Sequence, residues 1–129
     1  MSIKNGDVIN LNTCVCDDLD NKTIIINENV NEITLTSNGE ICNFKIFIKK
    51  RNSDLVVNIN DLVLDSKEDI AINFASGEKH DYKNYLVFSG TNSISSGGNI
   101  SICVTNNQTL EIKGKEDGFL KLSGGCEIH

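Results

Sequence analysis

The sequence predicts an all-β protein, a right-handed single-stranded parallel β-helix of about four three-strand turns. Three observations lead there. Runs of about four to six residues alternate aliphatic with polar side chains, and no window sustains apolar residues at i, i+3, i+4 and i+7. The runs recur in threes, with a period of about 24–33 residues. Stacked on that period, equivalent positions are aliphatic or aromatic throughout, which a solenoid needs because no single turn buries its apolar side alone.

In chain order the expected strands begin with VINL (Val8–Leu11) and TCVC (Thr13–Cys16), read as an irregular first turn or cap over residues 1–22. TIII (Thr23–Ile26), EITLT (Glu32–Thr36) and FKIFI (Phe44–Ile48) make the first regular turn. LVVNI (Leu55–Ile59), LVL (Leu62–Leu64) and IAINF (Ile70–Phe74) make the second. YLVF (Tyr85–Phe88), NSIS (Asn92–Ser95) and ISICV (Ile100–Val104) follow, then TLEI (Thr109–Ile112), FLKL (Phe119–Leu122) and the closing CEIH. The inward columns are then Ile26, Ile59, Phe88 and Ile112; Leu35, Leu64, Ile94 and Leu122; and Ile46, Ile72, Ile102 and Ile128. Outward positions such as Thr34, Lys45, Asn58, Asn73, Glu111 and Lys121 face water. Asn38-Gly39, Gly97-Gly98-Asn99 and Gly124-Gly125 are expected to supply positive φ at the corners. Handedness follows the general preference for right-handed crossovers.

A chain of 129 residues with 39% hydrophobic content suits one domain with one core. The 18 Asn residues are expected mainly at corners, where they hydrogen-bond locally and tolerate left-handed backbone. MSIKNGDVIN holds no signal-peptide apolar run, and no stretch approaches the roughly 20 apolar residues of a membrane helix. A complete small gene product in the cytoplasm is the expectation. Cys14, Cys16, Cys42, Cys103 and Cys126 are odd in number without framework spacing, so reduced thiols are expected.

A net charge of -6 disfavours nucleic acid, which needs a basic footprint. The cluster Lys49, Lys50 and Arg51 reads as a solvated turn. An acidic surface keeps a protein soluble, and it also suits a partner protein with a basic patch.

The irregular insertion Ser76–Asn84 leaves the solenoid, and such loops are where function concentrates. Glu78, His80, Asp81 and Tyr82 are therefore candidate binding residues, together with the acidic group Asp61, Asp65, Glu68 and Asp69. Neither that group nor Asp17, Asp18 and Asp20 has the spacing of an EF-hand, so solvated turns are expected rather than calcium sites. Cys14-x-Cys16 and Cys126-x-x-His129 have zinc-like chemistry but lie at opposite ends of the expected solenoid. No metal or cofactor is expected. No nucleophile or carboxylate pair stands out beside His80, and the outward positions lack a row of Asp, Lys and Arg, so no catalytic residues are assigned and no enzymatic activity is expected.

Residues 55–125, above all YLVFSGTNSISSGGNISICVTNNQTLEIKGKEDGFLKLSGG, resemble the β-helical repeats of bacterial surface and carbohydrate-binding-domain proteins. The matching residues are Gly90, Thr91, Asn92, Ile94, Leu110, Ile112, Gly114, Gly118, Leu120 and Leu122. The resemblance implies a β-helix and, for some relatives, binding of acidic plant polysaccharides with calcium. The sequence departs from it in its cysteine content and in showing no export-signal run in MSIKNGDVIN, so no export is expected.

The expected function is that of a small acidic interaction protein which binds or inhibits a partner protein, of the kind a phage or mobile element encodes. The alternative is a carbohydrate-binding module of a bacterial envelope protein. The C-terminal turn, apolar and without a polar cap, is expected to be covered by a second copy or a partner, giving a homodimer through a solenoid end.

Overall fold

Alternating sequences of this kind place every second side chain on one face, and in the computed structural model those faces line a single interior. The structure describes residues 3–13, 23–67, 70–74, 82–98, 100–104, 108–124 and 126–128, the last three as backbone. Its strands are β1 (Val8–Asn10), β2 (Thr23–Ile26), β3 (Glu32–Thr36), β4 (Ile41–Cys42), β5 (Lys45–Ile48), β6 (Leu55–Asn60) and β7 (Val63–Ser66). They continue with β8 (Ile70–Phe74), β9 (Asn84–Ser89), β10 (Thr91–Ser96), β11 (Ile100–Val104), β12 (Leu110–Gly114), β13 (Phe119–Ser123) and β14 (Cys126–Ile128). Among the described residues there is no helix.

All pairings are parallel. The first sheet runs β1-β3-β6-β9-β12, the second β4-β7-β10-β13 and the third β2-β5-β8-β11-β14. From β3 onward each coil visits the sheets in that order, and about four coils stack; between β1 and β2 the described residues hold no second-sheet strand. A coil takes between 22 residues, from Ile24 to Ile46, and 30, from Ile72 to Ile102. Loops absorb the difference, because the ladder register is fixed only within the strands.

The interior is the expected aliphatic column. Ile33, Leu35, Val57, Ile59, Leu64, Leu86, Ile94 and Ile102 are each at most 1% exposed. Burial of each such side chain contributes roughly 1.5–3 kcal/mol before the entropy of ordering it is subtracted. The three later coils group as the sequence predicts; the first does not. TIII pairs with KIFI in the third sheet, and EITLT pairs with LVVNIN in the first. The second-sheet strand of that coil is the two-residue β4, which pairs Cys42 with Leu64. Two residues cannot display alternation, and overlooking one strand shifts the phase of everything before it by a third of a turn.

Two columns also slip by two residues. Ile112 lies beside Leu86, while Phe88 lies beside Gly114. Cys126, rather than Ile128, lies beside Ile102. The Phe88 ring explains the first case, since a Cβ on Gly114 would sit 2.6 Å from its Cζ. The bulky ring takes the space of two positions, and the next coil answers with glycine.

Positive φ gathers at the corner between the first and second sheets. Asn38 (φ 52), Gly39 (φ 79), Asp61 (φ 48) and Gly90 (φ 68) occupy it in successive coils. Of the other expected corners, Gly124 has φ 99, while Asn99 of Gly97-Gly98-Asn99 and Gly125 lie outside the described residues. The same corner carries a hydrogen-bond ladder: Gly39 N–H donates to the Asp61 carbonyl (2.8 Å), and Phe119 N–H donates to the Gly90 carbonyl (2.8 Å).

Arg51 is a further correction. Instead of joining Lys49 and Lys50 on a basic surface, it is 3% exposed. Its guanidinium donates to the carbonyls of Asn27 (2.7 Å), Glu28 (3.2 Å) and Val30, closing the turn between β2 and β3. Burial pushes its pKa below the ordinary value, and the charge of Glu28 opposes that shift.

Candidate functional site

The C-terminal coil differs from those beneath it in how its apolar residues are treated. Leu86 and Ile94, inward on β9 and β10, are fully buried. One coil further on, inward Leu110, Leu120 and Leu122 are only partly buried, and Ile112 is 39% exposed. Phe119, at the outer start of β13, is 57% exposed. At the opposite end inward Ile3, Ile9 and Leu11 are buried, while outward Val8 on β1 is 70% exposed, so the two ends differ in their inward side chains. Among the described residues, β12, β13 and β14 are terminal strands of their sheets, each paired on one side. The last coil therefore presents apolar side chains beside unpaired backbone edges, the combination that favours association.

That coil is held from below by polar pegs as well as by packing. Asn84 Nδ2 donates to Gln108 Oε1 (3.0 Å) and to the Thr109 carbonyl (3.1 Å). Asn92 Nδ2 donates to the Phe119 carbonyl (3.2 Å), and Ser101 Oγ donates to the Ser123 carbonyl. Asn84, Asn92 and Ser101 are at most 1% exposed, so each replaces an aliphatic side chain in the interior by a directional bond to the coil above. The coil is thus fixed in register while its upper surface stays open.

Its outer face carries a compact charge pattern. Glu111 and Lys113 flank Ile112 on β12, 3.6 Å apart and both about half exposed. Lys113 Nζ also lies 4.9 Å from the centre of the Tyr85 ring.

Of the candidates from the sequence, Asp61, Asp65 and Tyr82 fall within the described residues. Glu68, Asp69, Glu78, His80 and Asp81 lie outside the described residues, as do Cys14, Cys16, Asp17, Asp18, Asp20 and His129. Tyr82 is described and exposed. Asp61 serves the corner: its Oδ1 accepts from Thr91 N–H (3.0 Å), and its carbonyl accepts from Gly39 N–H. Asp65, on β7 of the same coil, accepts from Ser95 Oγ (3.2 Å) and pairs with Lys67 (3.3 Å). Both carboxylates are thus engaged in bonds within the fold. Among the described residues no group of three or more His, Cys, Asp or Glu could hold a metal ion.

The outer face of the third sheet holds a shallow cavity of about 370 Å³, lined by Thr23, Ile25, Lys45, Phe47, Ile70 and Asn73. Ile25, Phe47, Asn73 and Cys103 follow one another across its strands. Among the described residues, Asn73 Oδ1 is buried there without a hydrogen-bond partner. The strands that line the cavity border segments 14–22 and 75–81, which lie outside the described residues.

Sequence reasoning does not single out Ile112 and Phe119 as exposed. The available signal is stacking: an inward side chain needs a coil on both sides to be buried, and β12 and β13 have one on one side. Compared with known proteins, the chain matches no family model, no curated protein and no solved structure at a significant level.

Proposed function

We propose that this chain is a non-enzymatic protein-interaction module whose contact surface is the open C-terminal coil. One observation carries the reading: Leu110, Ile112, Phe119, Leu120 and Leu122 stay partly or largely exposed on β12 and β13, two strands that among the described residues are paired on one side only. Edges of this kind bind other polypeptide by adding strands, and the apolar side chains supply the burial. Asp61 and Asp65 are engaged in corner and ladder bonds and are not assigned to the contact. The net charge of -6 favours a partner with a basic patch around the contact, which would speed encounter. Inhibition by occupying a partner's surface, as a phage or mobile-element product would act, is the mode this reading expects, in a reducing cytoplasm.

The polysaccharide alternative would use the flat outer face of the first sheet, where Asn58 Nδ2 donates to Glu32 Oε2 (2.9 Å) and Tyr85 supplies an aromatic ring. It is the weaker reading, because Lys113 already covers one face of that ring.

Affinity capture from the native host tests the proposal. The tagged chain is expected to retain a stoichiometric protein, either a different chain or another copy of this one. Phe119→Asp is expected to release it, and Lys50→Asp, at an exposed site elsewhere, to leave it bound. Capture indifferent to Phe119→Asp, or retention on acidic polysaccharide with no protein bound, overturns the proposal.

A further inference from the structure

Building on the reading of the last coil as a contact surface, we propose that its occupant is a second copy of this chain, joined by antiparallel pairing of β12 with its counterpart about a two-fold axis through Ile112. The backbone has the required parity. Asn84 N–H donates to the Thr109 carbonyl (2.9 Å) and Lys115 N–H to the Phe88 carbonyl (2.9 Å), so the odd-numbered residues of this segment turn their backbone groups toward β9. In a parallel ladder the N–H and C=O of alternate residues point to opposite sides. Leu110, Ile112 and Gly114 therefore direct theirs to the free edge. An antiparallel partner centred on Ile112 matches Ile112 with itself and Leu110 with Gly114, each as a hydrogen-bonded pair.

Side chains agree with the same register. Opposed residues of an antiparallel pair share a face, so Ile112 meets Ile112, and Leu110 fills the space above the other copy's Gly114. The inner column then runs on from one copy into the next, covering the 39%-exposed Ile112. On the outer face the register sets Glu111 of each copy opposite Lys113 of the other. A segment reading Leu-Glu-Ile-Lys-Gly is complementary to itself in this one orientation. The axis also turns the β13 edge of one copy toward the β14 edge of the other, so the partly buried Leu120 and Leu122 lie within the contact. The result is an isologous, closed dimer rather than an open filament.

Sedimentation equilibrium in reducing buffer, from micromolar to submillimolar concentration, tests the arrangement with variants confined to exposed side chains. The wild-type chain is expected to dimerise. Glu111→Lys and Lys113→Glu each place like charges in both symmetry-related pairs and are expected to weaken association about tenfold. The double variant E111K/K113E restores opposite charges and is expected to recover most of the loss. A wild-type chain monomeric throughout, single variants that dimerise like wild type, or a double variant as weak as the singles each overturns the proposal. The underlying protein-binding reading fails separately: a monomeric chain that captures another protein in a Phe119-dependent way refutes the second copy alone.

Discussion

At Arg51 a buried cation replaces what would otherwise be a hole in the backbone hydrogen bonding. Its guanidinium reaches three carbonyls across the β2–β3 turn. Arg51→Met keeps most of the side-chain volume but strips those acceptors; recovery of the desolvation cost offsets part of the loss. A decrease of about 2 kcal/mol in urea-unfolding stability is expected, and a change below about 0.5 kcal/mol would contradict this role. The positive-φ corner allows a sharper comparison. Gly39 has φ 79 with open space where a methyl would stand, whereas a Cβ on Gly90 would lie 2.2 Å from Asp61 Oδ1 and 2.7 Å from Asn60 Oδ1. Gly39→Ala is expected to cost about 1 kcal/mol, the backbone penalty alone. Gly90→Ala adds displacement of the Asp61 carboxylate from Thr91 N–H and is expected to cost about 1 kcal/mol more by the same measurement.

At the scale of strands, the polar pegs show how neighbouring coils keep register. Asn92 accepts from Leu62 N–H (2.9 Å) below and donates to the Phe119 carbonyl above, so one buried amide spans three coils. Asn92→Ala leaves both groups without that partner. A stability loss of about 2 kcal/mol is expected, with faster hydrogen exchange at the Leu62 amide than at amides deep in β6. Uniform exchange across both sites would show that the amide is dispensable. The shortest strand is the hardest to see in the sequence. EITLT and KIFI announce themselves by alternation, but Ile41–Cys42 is too brief, and its identity as a strand comes from pairing with β7.

Over the whole molecule, the inward side chains are least buried in the last coil. Leu64 is fully buried with coils on both sides, and Ile112 is 39% exposed. Leu64→Ala is expected to cost about 3 kcal/mol, and Ile112→Ala about 1 kcal/mol or less when measured at concentrations low enough to suppress association. Equal losses would mean that the last coil is as well covered as the middle. A solenoid is held together by contacts between adjacent coils, so the coil with one neighbour is the natural place for both local opening and binding.

Read alone, the sequence determined the strand class, the three-strand coil and most of the interior. Period-2 alternation and the spacing of Ile59, Leu64, Ile94 and Ile102 are local signals that survive without knowledge of the fold. Tertiary structure decided the phase of the first coil, the slip of Phe88 toward Gly114, the burial of Arg51 and the use of Asp61 at a corner. Each depends on what the neighbouring coil places above or below a residue, information that composition and spacing do not carry. The candidate site was legible in the same partial way. An apolar final turn was evident from Leu110 to Leu122. Its exposed edge, and the self-complementary order of Glu111, Ile112 and Lys113 along it, emerged only from the sheet topology, in which β12 is bonded to β9 on one side and, among the described residues, to no strand on the other.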